Sequence, residues 1–229
     1  MKIGVGGCSH SSSGYGKPWH FYMGNKFDAK IVISSSSGQA NEINIEKVKY
    51  IFEKNPDLDY FVLQLTEPSR FLLPLREDKK EDLIFLESPD TFNGMKFYSA
   101  KYNQNDQIIR KLTKIDVKFN DFFKNHVYTS DFNVKYKLIH TMMSIQHLSD
   151  HYNKKMIFFS WFVDVKKIAH SIGYESIINK MNVLDGCVDT FIKENNVQSL
   201  PNDSHYGSES HEMIFNQYIY PQIKDIIKQ

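Results

Sequence analysis

The chain has 229 residues, 41% of them hydrophobic, with 17 Phe and 13 Tyr; this composition supports one large domain or two small ones and excludes disorder along the whole length. The formal net charge is +1 at pH 7, with both signs mixed along the chain, which excludes the broad basic surface of a nucleic-acid binder. Two cysteines far apart, Cys8 and Cys187, form neither a disulfide framework nor a zinc pattern.

No run approaches the ~20 apolar residues that span a bilayer, and the opening MKIGVGGCSH lacks the apolar stretch of a secretion signal. The expectation is a cytoplasmic protein with reduced thiols and no membrane partner.

Lys2–Val5 reads as a short strand running into a turn at Gly6-Gly7, and Trp19–Met23 as part of a short helix. Ala29–Ser34 is a second strand, ended by the polar turn 35–38. From Asn41 the spacing becomes helical, with Ile45, Val48, Ile51 and Phe52 on one face. Asp59–Leu65 is a third strand, and its continuous apolar run suits a parallel sheet covered on both faces. Ser69–Ala100 is irregular: a charge run at Arg76–Asp82 precedes Leu83–Leu86 and Lys96–Ser99, a candidate hairpin around Pro89 and Gly94. It reads as an insertion or lid.

Helical patterns follow at Gln107–Phe123 and Val134–Tyr152, the second with Leu138, Ile139, Met142, Ile145 and Leu148 on its core face. Lys155–Phe162 is a fourth strand and Gly186–Glu194 a further helix. The polar loop Gln198–His205 leads into a last helix, Ser208–Ile227, whose Met213, Ile214, Tyr218, Ile223 and Ile226 should face the body. Strands alternating with helices predict one α/β domain over residues 1–229, three layers thick, around a mostly parallel sheet.

Ligands of such sheets bind beyond the carboxyl ends of the strands. Three polar clusters fall there: Gly7–Ser11 after strand one, Gly38–Asn41 after strand two, and Thr66–Arg70 after strand three. A fourth, Asn202-Asp203-Ser204-His205, precedes the last helix. A serine hydroxyl becomes a useful nucleophile when a base takes its proton. The base is usually a histidine held in one tautomer by a carboxylate. Ser9 lies on a Gly-flanked turn, and Asp203 and His205 supply carboxylate and imidazole within three residues. Helix-capping serines and surface histidines are common; order and placement together single these out.

The segment GCSHS at Gly7–Ser11 resembles the GDSxS first block of the SGNH (GDSL-like) hydrolases, with Cys8 in place of the usual Asp. Ser37–Ile43 looks like their second block, and Asp203–Ile214 like their last. The resemblance runs from residue 7 to residue 214 and implies a flavodoxin-like α/β/α sandwich. It implies Ser9 as nucleophile, His205 as base, Asp203 as orienting acid, and the backbone of Ser9 and Gly38 as oxyanion donors. The family commonly has Asp-x-x-His, whereas this chain has Asp-x-His, with Asn202 at the longer spacing.

The third block departs furthest. In place of Gly-x-Asn-Asp the strand ends Leu65-Thr66-Glu67-Pro68-Ser69-Arg70, so the side-chain oxyanion donor must be sought in Thr66, Gln64 or Asn41. His10, Gln64 and Arg70 are candidate substrate-binding residues, Arg70 for an anionic group. The motif order also resembles uncharacterised SGNH-like proteins of bacteriophages. The α/β-hydrolase fold is disfavoured, because its G-x-S-x-G elbow lies mid-chain. There is no phosphate loop and no G-x-G-x-x-G, and the spacings of His10, His20 and His211 match no ligand pattern, so neither cofactor nor metal is expected. The resemblance implies a serine esterase acting on a small-molecule or glycan ester through an acyl-serine intermediate. The same residues would serve an O-acyltransferase. The altered first and third blocks leave open a non-catalytic phage structural or binding protein, in the host cytoplasm or on the virion.

Overall fold

The structure is a computed structural model. It describes every residue except 12–15, 36–39, 69, 75–89, 93–94, 102–130, 202, 204 and 228–229, and only the backbone of 70–74, 90–92 and 95–101. The main sheet has five strands, all parallel: β1 (Lys2–Gly7), β2 (Lys30–Ser35), β3 (Tyr60–Leu65), β7 (Lys155–Ser160) and β8 (Asn182–Val183). Their spatial order is β2-β1-β3-β7-β8. This is the doubly wound order in which the chain reverses direction across the sheet between β1 and β3, and the crevice beyond that junction is where such folds hold ligands. A second, antiparallel sheet of order β4-β6-β5 joins Arg70–Pro74 (β4), Asp90–Phe92 (β5) and Met95–Lys101 (β6).

Helices cover both faces, as the three-layer expectation requires. On one face Ile3, Val5, Val62 and Phe159 pack with Trp19 and Met23 of α1 (Trp19–Phe27) and Val188 and Ile192 of α6 (Val188–Glu194). The C-terminal helices complete that face with Ile214, Phe215, Ile219 and Ile223. On the other face Phe61, Leu63 and Phe158 pack with Val48 and Phe52 of α2 (Ile43–Lys54). Leu138 and Met142 of α3 (Asp131–His151) and Ala169 of α4 (Val165–Ser171) close it. Each such side chain contributes roughly 1.5–3 kcal/mol on burial. Small residues in β1 make this second face possible: a Cβ on Gly4 would lie 2.4 Å from the Phe61 ring, and one on Gly6 2.8 Å from Leu63.

The structure differs from the sequence reading in four places. Gly6 and Gly7 complete β1 rather than forming the turn after it. The stretch between β7 and α6, left unassigned above, holds α4, the one-turn α5 (Glu175–Ile178) and the two-residue β8; elements this short show no periodicity. The last helix is not continuous: α7 (Ser208–Met213) passes into a π-helical segment, Ile214–Ile219, and then α8 (Tyr220–Ile227). The Tyr220 N–H donates to the Phe215 carbonyl, five residues back. Pro221 has no N–H for the ladder and its ring crowds the carbonyl four residues before it, which the wider π turn relieves. Met213, expected to face the body, is exposed, because Ile214 and Phe215 take the core-facing positions of that turn. The expected helix Gln107–Phe123 and strand Leu83–Leu86 lie outside the described residues. The expected hairpin joins Leu83–Leu86 to Lys96–Ser99; its first strand lies outside the described residues, and the structure pairs Asp90–Phe92 with Met95–Lys101. Among the described residues no helix is long and apolar enough to cross a membrane.

Candidate active site

β1 ends at Gly7, and Ser9–Ser11 follow as a single 3-10 turn closed by the Ser11 N–H donating to the Cys8 carbonyl at 2.9 Å. The turn is pressed against the sheet. A Cβ at position 7 would lie 2.5 Å from Ser11 Oγ and 2.9 Å from Gln64 Cβ, so only glycine fits. Ser11 is fully buried and is a hub. Its Oγ accepts from Trp19 Nε1–H at 3.0 Å and donates to Gln64 Oε1. Its carbonyl accepts from His20 Nε2–H at 2.9 Å and from Ser35 Oγ–H at 2.8 Å. Gln64 Nε2–H donates to Cys8 Sγ at 3.0 Å.

From the end of the chain come Asp203 and His205. One carboxylate oxygen, Asp203 Oδ1, accepts from the His205 ring Nδ1–H at 2.6 Å and from the His205 backbone N–H at 3.0 Å. The proton on Nδ1 leaves Nε2 as the ring's acceptor, the tautomer that a general base needs. The His205 ring lies 5.0 Å from the ring of His10, the residue after Ser9. His10 is itself held by a parallel stack on Trp161, with centroids 4.1 Å apart and planes 5° from each other. Asp203, His205 and the turn that carries Ser9 thus meet at the carboxyl edge of the sheet, although 195 residues separate His10 from His205.

The end of β3 is built around Asn41, whose side chain spans the Thr66 backbone. Asn41 Nδ2–H donates to the Thr66 carbonyl at 3.1 Å, and the Thr66 N–H donates to Asn41 Oδ1 at 2.8 Å. The Thr66 hydroxyl is buried and has no hydrogen-bond partner among the described residues, which costs about 1–3 kcal/mol when nothing compensates. Gly38 lies outside the described residues, and so does the side chain of Arg70.

Histidines surround the turn. His20 is buried, and desolvation lowers its pKa below the usual imidazole value. His211 is held lower still, to about 4, first by burial and then by the proximity of His20 and His205. Burial thus disfavours the charged form of both. Among the described residues no group of three or more His, Cys, Asp or Glu is arranged to hold a metal ion.

The sequence reading missed Ser11 as the hub and the roles of Trp19, Ser35 and Trp161. Their signal was position: Ser11, Ser35 and Trp161 all stand at or just beyond the carboxyl end of a parallel strand. Gln64 and His10 were read as substrate contacts. The structure places the Gln64 amide on Cys8 and Ser11 beneath the turn, and His10 against Trp161 and His205.

The five-stranded parallel sheet with helices on both faces is the α/β fold of the SGNH, or GDSL-type, hydrolases. The psychrotrophic esterase EstA from Pseudoalteromonas sp., solved in a form inhibited by monoethylphosphonate, shares it with a TM-score of 0.57 at 10% identity, covering 100% of this chain and 99% of that one. TesA does so with a TM-score of 0.55 at 10% identity, covering 99% of each chain. A lipolytic protein of the G-D-S-L family from Veillonella parvula follows at 0.52 and 10% identity, over 100% of this chain and 99% of that one. No family model and no curated protein matches the sequence.

Proposed function

We propose that the chain is a serine esterase of the SGNH type that works through an acyl-Ser9 intermediate. Ser9 Oγ attacks the ester carbonyl as its proton passes to His205 Nε2. Asp203 holds the Nδ1–H and stabilises the imidazolium that forms. The oxyanion is received by the backbone N–H groups of Ser9 and Gly38 and by the Thr66 hydroxyl, a donor without a partner among the described residues. His205 then protonates the departing alcohol, and a water activated by the same ring releases the acid. The substrate class is a small-molecule or glycan ester.

The observation that carries this reading is the Asp203–His205 pair packed on the residue that follows Ser9. Esterases among the structures of like fold support it. An active-site fluorophosphonate tests it. Covalent mass added at Ser9, abolished in Ser9→Ala and in His205→Ala, is the expected result. An unlabelled protein would point instead to a binding protein, phage-borne or otherwise, that keeps the fold without the chemistry. Transfer to a sugar hydroxyl in place of water uses the same groups and is distinguished by product analysis with an added acceptor.

A further inference from the structure

We infer that Gln64 is the positioning residue of the nucleophile, acting through Cys8 and Ser11 rather than on the substrate. The inference rests on the hydrolase reading above and concerns how Ser9 is held.

The turn that carries Ser9 is short. It has three residues, and among the described residues the Ser11 N–H donates to the Cys8 carbonyl across it. Each such bond contributes only about 0.5–1.5 kcal/mol net, so side-chain bonds matter to how firmly the turn is held. Gln64 adds two of them. It stands on β3, the strand paired with β1, and is fully buried. Its two polar ends grip the residue before Ser9 and the second residue after it: Nε2–H donates to Cys8 Sγ at 3.0 Å, and Oε1 accepts from Ser11 Oγ–H. The Ser11 hydroxyl in turn accepts from Trp19 Nε1–H at 3.0 Å, which sets the direction of its own proton toward Gln64. The chain of donors runs one way, from Trp19 through Ser11 to Gln64, and from Gln64 to Cys8. An amide fits this place because it offers an acceptor at one tip and a donor at the other at any pH. Cys8 takes part as acceptor, which gives the cysteine before the nucleophile a defined function.

Two variants test this, each assayed well below its own melting temperature. Gln64→Met keeps the volume and removes both hydrogen bonds. Gln64→Glu keeps both when protonated, since the acid O–H donates to Cys8 and the carbonyl accepts from Ser11, and loses the donor when ionised. The readout is the rate of fluorophosphonate capture at Ser9, followed by intact mass, with the saturation constant and the maximal rate resolved separately. Gln64→Met should lower the maximal rate by roughly 10–100-fold with little change in saturation, as misplacing a reacting group does. The ratio of Gln64→Glu to wild type should rise as the pH falls, a signature that mere loss of packing would not produce; the histidines around the turn, His10, His20, His205 and His211, are the same in both proteins. Wild-type capture with an unchanged maximal rate in Gln64→Met, or a pH-independent ratio for Gln64→Glu, would overturn the positioning role and leave the esterase reading standing. No capture by the wild type at Ser9 overturns that reading and this inference with it.

Discussion

The carboxylate of Asp203 holds His205 at two points, the ring Nδ1–H at 2.6 Å and the backbone N–H at 3.0 Å, both on the same oxygen. Two residues of separation are enough because the chain turns back on itself there: the Asp203 N–H donates to the Leu200 carbonyl at 3.1 Å, and the Leu200 N–H to the His205 carbonyl at 2.8 Å. The Asp-x-His spacing therefore suffices to bring the Asp203 carboxylate onto the His205 ring. Asp203→Asn keeps the shape but favours the wrong tautomer of His205. Its turnover on a small activated ester should fall by on the order of 10³–10⁴. Turnover equal to wild type would show that Asp203 only shapes the loop.

Thr66 offers an opposite pairing of stability and activity. Its hydroxyl is buried without a partner among the described residues, so Thr66→Val removes an uncompensated polar group and should leave the melting temperature equal or higher. If the hydroxyl receives the oxyanion, turnover on the same ester should drop by roughly 10²–10³. A variant that keeps its turnover would place the third donor elsewhere.

Asn41 differs from Thr66 in the sign of the first effect. Asn41→Ala breaks both bonds to the Thr66 backbone and should destabilise the fold by about 1–3 kcal/mol in urea unfolding. Turnover should fall as well, because the end of β3 loses its clasp. Unchanged stability would show that water replaces the amide at no cost.

The buried histidines make the fold sensitive to acid. His211 has its folded pKa lowered to about 4 from an ordinary 6.5, so between those values the unfolded chain binds the proton that the folded one refuses. Stability is therefore complete above about pH 6.5 and is lost as the pH falls toward 4, by an amount on the order of 3 kcal/mol for this residue. His20, lowered by burial, adds in the same direction. His211→Gln should flatten urea-unfolding stability measured from pH 7 to pH 4.5. An equally steep loss in the variant would assign the acid sensitivity to other groups.

The segment 69–100 is proposed to choose the substrate. Loops carried on a rigid scaffold commonly do this, and here the segment includes the β4-β6-β5 sheet. Replacing it with a short Gly-Ser linker should change the relative rates on short and long acyl esters while the melting temperature of the main sheet moves little. Unaltered preference would remove it from the site.

Most strands were legible because a parallel strand buried on both faces must be apolar along its length, as Tyr60–Leu65 and Lys155–Ser160 are apart from a few polar positions. Strand order followed less directly. It depends on close approach across β1, where Gly4 and Gly6 admit the side chains of Phe61 and Leu63, and glycine reads equally well as a turn.

The sequence by itself determined the chemistry on offer, because residue types and their order along the chain are its own property: a serine after the first strand, an Asp and His before the last helix, and no family asparagine after strand three. The folded chain assigned each group its task. Gln64 became a support of the turn, and Asn41 a clasp for Thr66, because a buried amide must satisfy its donor and its acceptor with whatever the neighbouring strands present. Those neighbours come from segments as much as 56 residues away in sequence, and only packing sets the few ångströms at which they meet.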